Sequence, residues 1–216
     1  MKIKKYLVLS ILFILPLTMY MFFASGKDNF GRLPVLTQGV FDISEFTTME
    51  GESVTLYGNI TVLGFYGRDP HSFQANAFNL THKIYKKNRE FQDFQFVFLM
   101  PNGSEASALK LKNELSEIVN TEQWKFAFGP PTAVVRVYNS LKSSYPLSED
   151  LSTPFVFIID KDGNLRGRDD DEDVGTLYGF DARDYAEINN KMSDDIKVIL
   201  AEYRLALKKY KADREI

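Results

Sequence analysis

The sequence predicts an α/β domain with a central mixed sheet covered by helices on both faces, preceded by one helix able to cross a membrane. Three observations carry this. Residues 6–24 (YLVLSILFILPLTMYMFFA) form a 19-residue run without a charge. Residues 60–65 (ITVLGF), 94–100 (FQFVFLM) and 155–159 (FVFII) are apolar runs without sustained alternation, the pattern of strands covered on both faces. The stretches between and after them place apolar residues at helical spacing.

As a helix, residues 6–24 reach about 28 Å, close to the roughly 30 Å of a bilayer's hydrocarbon core, and a membrane helix tolerates Pro16 better than a soluble one. Lys2, Lys4 and Lys5 precede the run, which puts residues 1–5 in the cytoplasm and the rest of the chain beyond the membrane, periplasmic or otherwise extracytoplasmic. The alternative is a cleaved signal peptide ending at Ala24-Ser25-Gly26, but an apolar region of 19 exceeds the roughly 7–15 residues usual for one. No cysteine follows, so a lipid-modified lipoprotein is excluded.

Residues 25–40 mix Gly, Pro and polar groups and read as a tether, leaving residues 41–216 as the folded domain. Residues 41–46 and 53–56 read as two short strands around Glu50-Gly51-Glu52. Residues 72–90 carry Phe73, Ala77, Leu80, Ile84 and Tyr85 at helical spacing, and residues 104–119 do the same with Leu109, Leu111, Leu115, Ile118 and Val119. Asp160 to Gly163 is a turn, Leu165 begins a hairpin partner, and residues 193–210 close the chain as a helix. The order βαβ, then a helical or loop segment, then ββα, is that of a thioredoxin-like three-layer fold.

Composition limits the chemistry. The 216 residues include no cysteine, which excludes disulfides, thiolate nucleophiles, dithiol redox centres, iron–sulfur clusters and thiolate zinc sites. The only histidines are His71 and His82, so a three-histidine metal site is excluded as well. The three leading lysines hide a more acidic domain, with net charge −6 over residues 27–216. That sign, without a basic stripe, argues against a nucleic-acid partner.

Several blocks in order resemble the Sco/SenC family of membrane-anchored, thioredoxin-like copper chaperones, which help assemble the copper centre of cytochrome oxidase. They are the hairpin around Gly51, residues 60–65 entering an aromatic turn, FVFLMP at 96–101, WKFAFG at 124–129 and PFVFIIDKDG at 154–163. The last block is also similar to TlpA-type periplasmic thioredoxins, and that likeness implies a cis bond at Thr153–Pro154. The family's C-P-x-x-C-P turn reads Asp69-Pro70-His71-Ser72-Phe73-Gln74 here, so Asp69 and Phe73 stand at the two cysteine positions. Ser152 stands at the position of the family's histidine ligand, and the acid-proline pair after the second buried strand becomes Met100-Pro101. Carboxylate, phenyl and hydroxyl groups do not replace soft copper(I) ligands. The resemblance therefore implies the scaffold without copper delivery or thiol exchange.

Each candidate has a plainer role beside it. Asp69 and Ser72 read first as helix caps, and a hard-metal site on Asp69 and His71 is the minor alternative. A Ser–His–acid set built on Ser72 and His71 fails because adjacent side chains do not face each other. Gly67, Pro70, His71, Trp124 and Pro154, with Phe126 and Phe128, would line the family's cleft and could take a protein partner, or simply pack the core. Asp169, Asp170, Asp171 and Asp173 form an acidic run that reads as a solvated loop and only weakly as a cation site. Asp160, Asp162, Asn164 and Asp171 fall in a calcium-loop register that lacks its glycine and its bidentate Glu.

The expected protein is thus a membrane-anchored, extracytoplasmic, non-catalytic binding or assembly factor for a membrane or respiratory complex. It has an unidentified protein partner and no metal, copper or other cofactor. The alternatives are a metal-binding protein with a relocated carboxylate/His site and a periplasmic protein released by cleavage. Mass spectrometry of the membrane fraction is expected to find the full 24.8 kDa chain; a species shortened by some 25 residues would mark a signal peptide.

Overall fold

The computed structural model of the chain describes residues 2–24 and 31–212. It comprises two units, Met1–Gly31 and Arg32–Ile216. The first part of the expected tether, residues 25–30, and the chain end, 213–216, lie outside the described residues.

The first unit is helix α1 (Lys2–Ala24), with Pro16 inside it and the Thr18 hydroxyl donating to the Ile14 and Leu15 carbonyls. Among the described residues no helix is long and apolar enough to cross a membrane. The helix expected over residues 6–24 is therefore present, but as a helix and not as a demonstrated span.

The second unit is built on strands β1 (Val35–Thr37), β2 (Thr47–Thr48), β3 (Ile60–Tyr66), β4 (Phe94–Pro101), β5 (Trp124–Gly129), β6 (Ser152–Ile159) and β7 (Leu165–Arg166). Their order in the sheet is β1-β7-β6-β3-β4-β5-β2; β3, β4 and β5 are parallel and the other pairings antiparallel. Strands β8 (Arg168–Asp171) and β9 (Gly175–Leu177) form a separate hairpin, and β10 (Phe180–Asp181) pairs with β6. Every residue of β3 and β4 is buried, as unalternated strands require. One face packs on α2 (Gln74–Leu80), residues 81–85, α4 (Glu105–Ser116), residues 188–192 and α7 (Ser193–Ala212), whereas the short α3 (Lys86–Asn88) and α6 (Tyr185–Glu187) bury no residue; the other face packs on α5 (Pro131–Ser140) and the segment holding Ile43, Phe46, Val54 and Leu56. These are the three layers that the order of elements predicts.

The structure corrects the sequence reading in several places. Residues 41–46 and 53–56 are not a hairpin: Ile43 and Phe46 enter the second core three residues apart, with the Phe46 N–H on the Ile43 carbonyl as in a turn, while Val54 and Leu56 alternate inward without pairing to that segment. Only Thr47–Thr48 pairs, with β5, beside a single bridge to Ser53. The folded domain begins before Phe41, since β1 lies within the expected tether, paired to β7, with Leu33 and Val40 buried on either side. The helix over residues 72–90 is divided into a 3-10 turn (Pro70–Phe73), α2, a π turn (Thr81–Tyr85) and α3, because the Lys86 N–H bonds the Thr81 carbonyl five residues back. A second π turn, Ile188–Met192, leads into α7 and packs against the first. There is no cis peptide among the described residues, so Thr153–Pro154 is trans. Thr153 pairs with Phe65 in β6, and the strand already supplies the extended conformation that a residue before proline needs.

Arg166 fastens the edge of this sheet. Its Nε and Nη2 donate to the Leu33 carbonyl at 2.8 and 2.5 Å, Nη1 to Asp160 at 3.1 Å, and Nη2 to Glu202 on α7 at 2.7 Å. Arg166 and Asp160 are both buried, and removing one partner of a buried pair strands the other charge. In urea unfolding, Arg166→Ala is expected to lose about 3–5 kcal/mol.

Candidate functional site

In sheets of this kind, sites form beyond the carboxyl ends of the parallel strands. At the end of β3 the chain turns at Gly67, whose φ of +63° suits glycine and where a Cβ would lie 2.5 Å from the Asp150 carbonyl. The Ser104 hydroxyl donates to the Gly67 carbonyl at 3.2 Å, and the Arg68 N–H donates to the Asp150 carbonyl at 3.2 Å. This close approach joins the turn to the loop before β6.

The turn is then held by α4. The Ser107 hydroxyl donates to the Asp69 carboxylate at 2.7 Å and accepts the His71 N–H at 3.3 Å. The Glu114 carboxylate holds the His71 ring at 3.1 Å and the Gln74 amide at 2.7 Å. Asp69 and Ser72 are not side-chain caps, contrary to the sequence reading. The Asp69 carboxylate is taken by α4, and the Ser72 hydroxyl donates back to the Asp69 carbonyl at 2.7 Å. Pro70 is buried beneath them.

Phe73 closes the turn from inside. Its ring stacks on Tyr66 at 5.0 Å, Tyr66 on Phe98 at 4.1 Å, Phe98 on Trp124 at 5.1 Å and Trp124 on Phe96 at 4.8 Å. Trp124, Phe126 and Phe128 are buried, so they are core residues and not the cleft lining they could have been. The cause is the alternation of β5, which turns 124, 126 and 128 to one face. Among the described residues the Tyr66 hydroxyl and Trp124 Nε1 have no hydrogen-bond partner, and burial pushes the Tyr66 hydroxyl well above its ordinary pKa.

Ser152 pairs with Tyr66 across β6 and β3 and lies beside Gly67. Its hydroxyl donates to Asp150 at 2.8 Å and lies 2.9 Å from that of Ser148. Between them Leu151 holds a φ of +68°, a costly conformation for a branched residue. Burial raises the Asp150 carboxyl, but hydrogen bonds from Ser148 and Ser152 together outweigh it and keep the pKa below the usual carboxylate value. Pro154 is in β6, its carbonyl accepting from Ala182.

The fold thus gathers Gly67, Asp69, Pro70, His71, Phe73 and Ser152 at one end of the sheet, with each polar side chain already engaged. No imidazole reaches Ser148 or Ser152; His71 is held by Glu114, and His82 faces Lys86 at 3.4 Å. The acidic run lies elsewhere. Asp171 and Asp173 converge on Lys191 at 2.7 and 2.6 Å, while Asp169 and Asp170 are exposed. Asp160 serves the Asp162 and Asn164 N–H groups and Arg166, so the calcium register is not assembled. Among the described residues no group of three acids or histidines could hold a metal.

Sequence reasoning missed Ser107, Glu114, Tyr66, Ser148 and Asp150. Ser107 and Glu114 stand seven residues apart, on one face of α4, and Ser148-x-Asp150-x-Ser152 places two hydroxyls either side of a carboxylate.

What fold and site define is a cysteine-free thioredoxin-like domain. No family model and no curated protein matches the chain. Among solved structures it is similar to BsSco, a member of the Sco family of cytochrome c oxidase assembly proteins, at TM-score 0.53 and 15% identity, over 78% of this chain and 98% of that one. It is similar to a candidate protein disulfide isomerase from Bacteroides thetaiotaomicron at TM-score 0.53 and 15% identity, over 79% and 95%. A candidate electron transfer protein from Aquifex aeolicus gives 0.52 and 11%, over 76% and 92%. The chain has a Sco-like thioredoxin fold.

The depressed Asp150 carboxyl stabilises the fold above the unfolded pKa of about 3.9, and that contribution is lost as pH falls through the lower folded value. The stability gap between wild type and Asp150→Asn is therefore expected to be constant from neutral pH to about pH 5 and to close below pH 4, read from urea midpoints.

Proposed function

We propose that the protein is a membrane-attached, extracytoplasmic binding or assembly factor that keeps a Sco-like scaffold and has no thiol or copper chemistry. The observation that carries this is the fate of the three positions matching the family's ligands. Asp69 is bound by Ser107, Phe73 is stacked on Tyr66, and Ser152 is bound to Asp150 and Ser148. A turn stitched to α4 and to the loop before β6 is a rigid surface, suited to presenting a shape to another protein. BsSco is described as belonging to a family that assembles cytochrome c oxidase, which makes a membrane or respiratory complex the first place to look for the partner.

The attachment rests on the 19-residue uncharged run and the lysines before it.

Copper loading followed by metal analysis of the purified full chain is expected to find no copper above background, whereas the triple variant Asp69→Cys, Phe73→Cys, Ser152→His is expected to retain it. Stoichiometric copper on the wild type would overturn the reading. Crosslinking in intact membranes is expected to capture a membrane-complex subunit, and to lose it when α1 is removed.

A further inference from the structure

A second concave site lies at the opposite end of the parallel strands. It encloses about 250 Å³ and is walled by Ile60 at the start of β3, Phe91 before β4, Lys161 after β6, and Leu200, Tyr203 and Arg204 on α7. Ile60 and Leu200 are buried and form an apolar floor. The two cations at its rim differ. Lys161 pairs with Asp93 at 2.5 Å, which neutralises the carboxylate facing the cleft, and its ammonium lies 5.4 Å from the Tyr203 ring centre. The Arg204 guanidinium lies 5.4 Å from the Phe91 ring centre, and among the described residues it has neither a carboxylate in ion-pair range nor an acceptor for its N–H donors.

A guanidinium over a ring keeps its edge donors, the pair that grips a carboxylate in two parallel hydrogen bonds. The floor and the two rings suit a flat apolar body. The volume falls below the roughly 300 Å³ at which pockets for drug-sized ligands begin, so the ligand is small. We infer that this cleft binds a small aromatic carboxylate, its ring against Ile60, Leu200 and Tyr203 and its carboxylate on Arg204. A bare anion would leave the floor wet, and a neutral ring would make no use of the Arg204 donors at the exposed rim.

The test is calorimetric titration of the detergent-solubilised full chain with benzoate, phenylacetate, benzamide and inorganic phosphate. Benzoate or phenylacetate is expected to bind saturably, benzamide and phosphate at least about tenfold more weakly, and Arg204→Gln to weaken the carboxylate by about tenfold or more. Leu200→Trp, which fills the floor, is expected to abolish binding with an unchanged circular dichroism spectrum; should it not fold, Arg204→Gln carries the test. No saturable binding of either carboxylate below about 10 mM, equal binding of phosphate, or an unaltered Arg204→Gln would each overturn the inference. None of these outcomes bears on the assembly role proposed above.

Discussion

The three parallel strands are organised around one stack of rings. Phe73, Tyr66, Phe98, Trp124 and Phe96 lie face to face from the turn after β3 into the middle of the sheet, and Tyr85 meets the last two edge-on. Each contact adds about 0.5–1.5 kcal/mol to what burial alone supplies. Gly64 makes the stack possible: a Cβ there would lie 2.4 Å from the Phe98 ring, so only a residue without one lets Phe98 lie across β3. The turn cannot open a ligand-sized gap at its inner side without unstacking Phe73.

That packing carries a cost in hydrogen bonds. The Tyr66 hydroxyl and Trp124 Nε1 are buried without partners among the described residues, each at about 1–3 kcal/mol. Both groups sit on rings whose apolar faces are fully used, and the area buried by a large aromatic side chain outweighs one unpaired polar atom. The polar contacts are placed outside the stack, where Ser104, Ser107, Glu114 and Asp150 hold the turn by its backbone and its remaining side chains.

The excess negative charge is handled locally. Lys191 on the second π turn serves Asp171 and Asp173, and Arg168 on β8 grips Asp195 of α7 through three hydrogen bonds of 2.8–3.2 Å. Arg168 and Lys191 together therefore fasten the β8–β9 hairpin to the start of α7. What looked in the sequence like a block of free carboxylates is partly the docking surface of one element on another, and only Asp169, Asp170 and the tip remain in water.

The sequence by itself determined the layers. Unalternated runs at β3, β4 and β6 read as strands covered on both faces, and helical spacing on either side of β4 supplied the cover of one face; the other is covered by α5 and the segment from Ile43 to Leu56. It also determined what chemistry is absent, because no fold can supply a thiolate to a chain without cysteine. The strand β5 and helix α5 are legible too, from the alternation of Trp124, Phe126 and Phe128 and from Pro131 at a helix start. Only the tertiary structure decided where the polar groups of the turn go. Asp69 finds Ser107 across 38 residues, His71 finds Glu114 across 43, and Gly67 meets Ser152 from another strand. Local spacing reports which way a side chain points along its own element, but a partner that distant is chosen by how the elements pack.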